Sequence, residues 1–155
     1  MTSHRGNMQE RHDTTFRVIL TPEIDGGFVV TCPELPEVIT QGDTRAEALD
    51  NAADALAEAV AGRMRRGDDV TAEEFACDEQ EVFVALPASI RPKLVLYLAM
   101  REGGINRLEL ARRMGCDEKQ IRRLLDPSYA TNIKAIGDAL RAMGKRLNLG
   151  FDRAA

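Results

Sequence analysis

Near residue 88 the hydrophobic period of this chain changes, and no single sheet or single bundle accommodates both halves. Upstream, Phe16, Val18 and Leu20 alternate with polar neighbours, which places them on one face of a strand. Asp25-Gly26-Gly27 follows, the residue types that tolerate the positive φ of a tight hairpin, and Phe28–Thr31 is the return strand. Pro33 and Pro36 stop it, and Val38–Gln41 forms a third strand ending at Gly42. Thr44-x-x-Glu47 is a capping box, and Leu49, Ala53, Leu56, Val60 and Met64 then recur at helical spacing. Glu81–Leu86 reads as a fourth strand before Pro87. The expected fold class is α+β, with a β-β-β-α-β domain over residues 15–88.

Downstream the pattern is wholly helical. Leu94–Met100 is apolar, preceded by Pro92 and closed by Gly103-Gly104. Asn106-x-x-Glu109 is a second capping box, Gly115 ends the helix it opens, and Asp117-x-x-Gln120 starts another at once. Asp126-Pro127 terminates that helix, and Ile133, Ile136, Leu140, Met143 and Leu147 mark a last one. A short terminal strand is expected over 147–151. Two short helices joined by a Gly-bearing turn are the geometry of a helix-turn-helix. Ile121, Leu124 and Leu125 form the inward stripe of its second helix. Lys119 and Arg123 then face outward, flanked by Gln120 and Arg122. Arg and Lys suit guanine O6/N7 and Gln suits adenine N6/N7, so these four are the expected base contacts. Arg107, Arg112 and Arg113 suit backbone phosphates.

Charge divides at the same boundary. The chain has 155 residues and a formal charge of −4. Through Ala88 there are 7 Lys+Arg against 18 Asp+Glu, a net −11; from Ser89 onward 14 against 7 give +7. The basic half is the part expected to meet a polyanion. Residues 1–14 lack any period and read as a mobile tail holding both histidines, His4 and His12. The folded part is left without a histidine for acid–base work, and no Ser/His/Asp or Cys/His set is available, so an enzyme is not expected. No metal site or cofactor is expected either. Asp50, Asp54 and Glu58 lie along one helix as a solvated stripe, and Cys32, Cys77 and Cys116 are too scattered for a C-x-x-C site. The cysteines read as reduced thiols. With no apolar run of membrane length and a polar opening segment, the expected location is cytoplasmic, with no membrane partner.

The run Phe28-Val29-Val30-Thr31-Cys32-Pro33-Glu34-Leu35-Pro36, followed by Thr40-Gln41-Gly42-Asp43-Thr44-x-x-Glu47-Ala48-Leu49-x-Asn51-Ala52, resembles HicB antitoxins. Arg123-Leu124-Leu125-Asp126-Pro127 and Ala139–Leu147 resemble the helix-turn-helix branch of that family. The resemblance spans about Phe16 to Phe151 and departs at Glu37, where a Gly commonly follows the Leu-Pro. It implies a degraded ribonuclease H-like domain that has lost catalysis and blocks a HicA-type mRNA interferase toxin, a small basic protein. It further implies that residues 89–155 form a DNA-binding and dimerisation domain, which represses the operon through operator double-stranded DNA as a homodimer or higher oligomer. Asp25, Glu34 and Glu37 are the candidate toxin-facing carboxylates. Two other readings exist: a stand-alone helix-turn-helix regulator with an N-terminal ligand-sensing domain, and an active nuclease using Asp25 or Glu34.

Overall fold

The four strands and five helices that follow are those of a computed structural model describing residues 14–71 and 80–148. The expected tail, with His4 and His12, lies outside the described residues except for Thr14, as do Cys77 and residues 149–151 of the expected terminal strand. Two compact units divide between Arg91 and Pro92.

The first unit is a four-stranded antiparallel sheet with one helix on its face, an α+β arrangement. Its elements are β1 (Thr15–Pro22), β2 (Phe28–Thr31), β3 (Ile39–Gly42), α1 (Arg45–Arg66) and β4 (Glu81–Ala85). The strand order is β3-β2-β1-β4. Register is set by which face each residue must bury: Leu20 lies opposite Val30, and Phe16 opposite Val84. Phe16, Val18, Leu20 and Val30 point into the core, as period two requires. At the β1–β2 hairpin Gly26 and Gly27 take φ of +99° and +88°, conformations that a side chain would strain.

α1 starts where the sequence marks it. Thr44 Oγ1 accepts the Glu47 N–H, and Glu47 Oε2 accepts the Asp43 N–H at 2.9 Å. Its buried face differs from expectation. Ala48, Ala52, Leu56, Val60, Ala61 and Met64 are buried, whereas Leu49 and Ala53 are half-exposed. The reason is steric. The helix enters against Gly42, so the small side chains one position earlier take the inner face at its N-terminal end.

The second unit is all helical: α2 (Arg91–Gly103), α3 (Arg107–Met114), α4 (Glu118–Leu125) and α5 (Ile133–Ala142). Its core is Leu96, Ala99, Met100, Leu110, Ala111, Ile121, Ile136, Ala139 and Leu140, with Leu124, Leu125 and Leu147 packed partly buried against it. Leu147 and Asn148 belong to no strand, so the described part of the expected terminal strand is not formed. Among the described residues no helix is long and apolar enough to cross a membrane.

Candidate nucleic-acid interface

α3 and α4 are eight residues each and are joined by the three-residue turn Gly115-Cys116-Asp117. Gly115 makes the turn with φ +67°, its N–H returning to α3, and Cys116 N–H bonds Ala111 O at 3.0 Å. Asn106 Oδ1 caps α3 through Glu109 N–H, and Asp117 Oδ1 caps α4 through Gln120 N–H, each at 2.8 Å. The second expected capping box is only half formed. The Glu109 carboxylate does not reach back but turns outward to Arg112 and to Arg113, the latter at 2.9 Å. Two guanidiniums one turn away outcompete a single backbone amide for that carboxylate. They hold it below the ordinary carboxylate range, with the Arg113 hydrogen bond the largest cause.

Burying Ile121 turns Lys119, Gln120, Arg122 and Arg123 outward, and all four are exposed. They are not equivalent. Glu118 pairs with Arg122 at 3.5 Å and with Arg107 at 3.3 Å, joining the first turns of α3 and α4. Among the described residues no carboxylate reaches Lys119 or Arg123. Of the seven residues singled out from the sequence, four arginines are therefore held by Glu109 and Glu118. Lys119, Gln120 and Arg123 present unclaimed donors, the pattern suited to purine edges in a major groove.

Sequence reasoning missed two residues here. Lys93 is 1% exposed, its ammonium donating to Asp126 O and, at 2.5 Å, to Tyr129 O. Tyr129 brings its ring to 5.8 Å from the Arg123 guanidinium carbon. A charged residue in a helical stretch looks solvated in one dimension, so nothing in the sequence signals either role.

The three carboxylates of the first unit do not converge. Asp25 lies exposed in the hairpin at one end of β2, and Glu34 and Glu37 lie beyond the other end. The Glu34 side chain is 4% exposed, 3.4 Å from Arg17 Nε. Glu37 is open to solvent and bound in a fork by Arg63, Nε to Oε1 at 2.6 Å and Nη2 to Oε2 at 2.9 Å. Those bonds lower its pKa below the ordinary carboxylate range. Glu37, Ile39, Glu58, Arg63 and Asp69 line an open groove between β3 and α1.

Residues 15–95 match a family described as the HicB-like antitoxin of bacterial toxin–antitoxin systems. Antitoxin HicB of Escherichia coli K12 is 35% identical over 146 residues, covering 86% of this chain and 96% of its own length. Antitoxin HicB 1 of Photorhabdus laumondii is 32% identical over 147 residues, covering 88% and 86%. Antitoxin HicB of Pseudomonas fluorescens Pf0-1 is 32% identical over 132 residues, covering 85% and 90%. With the match covering every strand and the helix of the first unit and the identities running through both units, this chain belongs to the HicB-like antitoxin family.

Proposed function

We propose that the chain neutralises a HicA-type mRNA interferase with its N-terminal unit and represses its own operon with its C-terminal unit, α3–α4 acting as a helix-turn-helix. The observation that carries this reading is the opposite net charge of the two halves, −11 through Ala88 and +7 beyond. A toxin that cleaves RNA needs a basic RNA-facing surface, for which an acidic domain is the complement. Operator DNA needs the reverse. The β-β-β-α-β order supports a ribonuclease H-like origin for the first unit, and the family supports a toxin as partner and a non-enzymatic role. A homodimer working in the cytoplasm would meet half-sites about 34 Å apart, one helical turn, or a multiple of it.

Arg123→Ala tests the division of labour in the full chain. Operator affinity is expected to fall by about 1–3 kcal/mol while rescue of growth from a co-expressed HicA-type toxin stays intact. Equal loss of both would refute two separable surfaces. A ligand-dependent shift in DNA binding with no toxin captured would favour the ligand-sensing regulator.

A further inference from the structure

We propose that Tyr129 is a positioning residue for DNA recognition: its ring holds Arg123 in the pose that meets a base edge. The inference rests on the helix-turn-helix reading above. An exposed arginine samples many rotamers, and fixing it on binding costs side-chain entropy. Arg123 has no carboxylate to restrain it among the described residues, and Tyr129 is the partner it does have, 5.8 Å from ring centroid to guanidinium carbon. An aromatic face attracts the cation yet leaves the in-plane N–H donors of the guanidinium free for acceptors at its edge. A carboxylate would consume those same donors.

The backbone that carries the ring is anchored. Asp126 ends α4, its N–H bonding to Arg122 O and Arg123 O. Asp126 Oδ1 accepts the Ser128 N–H at 2.8 Å, and Asp126 O accepts the Tyr129 N–H at 3.1 Å. Beneath this turn the buried Lys93 ammonium binds the carbonyls of both Asp126 and Tyr129. The backbone carrying the ring is thus tied to the buried Lys93, while Tyr129 itself is 51% exposed. A surface tyrosine fastened from below and stacked on the one arginine of α4 that no described carboxylate pairs with is a device for preorganisation.

The test is a double-mutant cycle in the full chain. It uses a duplex carrying the region upstream of the chain's own coding sequence and a scrambled duplex of equal length. Tyr129→Leu should weaken binding to the first duplex about fivefold and leave binding to the scrambled one unchanged. Tyr129→Phe should bind within about twofold of the unmutated chain, and Tyr129→Leu should cost less than about twofold once Arg123→Ala is present. A Tyr129→Leu chain that binds like the parent overturns the inference, as does a loss of the same size in the Arg123→Ala background. Failure of Tyr129→Phe to rescue overturns it too, assigning the hydroxyl a direct contact instead. If Arg123→Ala is itself neutral, the α4 reading falls and this inference with it. If Arg123→Ala is costly and Tyr129→Leu is not, only the positioning role is lost. Thermal midpoints of the same proteins separate a folding defect from either result.

Discussion

Cys32 shows how a single side chain can report on the packing around it. It is buried where β2 leaves the sheet, its thiol 3.4 Å from Glu34 Oε2. Burial, followed by the neighbouring Glu34, pushes its pKa up to about 11 from an ordinary 9.0. Because the folded value lies above the unfolded one, the thiol's contribution to stability is whole below pH 9 and is lost as pH rises from about 9 to 11. Chemical denaturation at several pH values should show the parent chain losing about 2 kcal/mol more than Cys32→Ala across that window. An identical pH profile for the two proteins would mean that the thiol is solvated. Glu34, set out from the sequence as a toxin-facing carboxylate, is committed in the same place to Arg17. Glu37 and Asp25 are the two of the three that a partner can reach.

At the scale of elements, a segment that carries the resemblance to HicB antitoxins proves to be a joint. Gly42, Thr44, Glu47, Ala48, Asn51 and Ala52 fasten the end of β3 to the start of α1. A Cβ on Gly42 would overlap the Ala48 backbone nitrogen and lie 2.7 Å from its Cα. Thr44 and Glu47 close the cap, Asn51 Nδ2 donates to Gln41 O at 2.8 Å, and Ala48 and Ala52 are small where the helix meets the sheet. Gly42→Ala is therefore expected to destabilise the chain by about 3 kcal/mol or to force the helix off the sheet, measured by urea denaturation. A loss under about 0.5 kcal/mol would show that the joint can yield. The succession of elements along the chain, the helix starts and the α4 outward face were legible because they follow from period, caps and turn residues, all local. The sheet order β3-β2-β1-β4 was not, because β1 pairs with β4 more than 60 residues away. The inner face of α1 was misjudged at Leu49 and Ala53 because it depends on Gly42, six residues or more away and across a turn. Lys93 was illegible for the same reason: its partners lie 33 and 36 residues along the chain.

At the scale of the molecule, charge sorted by position says more than the total of −4. The basic half, however, is partly neutralised from within, which bears on the DNA-binding role proposed above. Arg107, Arg112, Arg113 and Arg122 already sit against Glu109 and Glu118. Each arginine that neutralises a phosphate steepens the log–log salt dependence by about 0.9, so four arginines held by glutamates should leave the slope shallower by up to about 4 than four free ones would. Titration of operator binding against potassium chloride should return the shallower slope per protomer. Glu109→Gln with Glu118→Gln should steepen it and raise affinity for scrambled DNA. A steep slope in the parent chain would contradict the count. On the DNA-binding role proposed above, the two glutamates would be built-in counterions that phosphate must displace, and this surface would gain little from any duplex it merely touches. It should leave generic DNA readily and dwell only where a purine edge answers Lys119, Gln120 and Arg123.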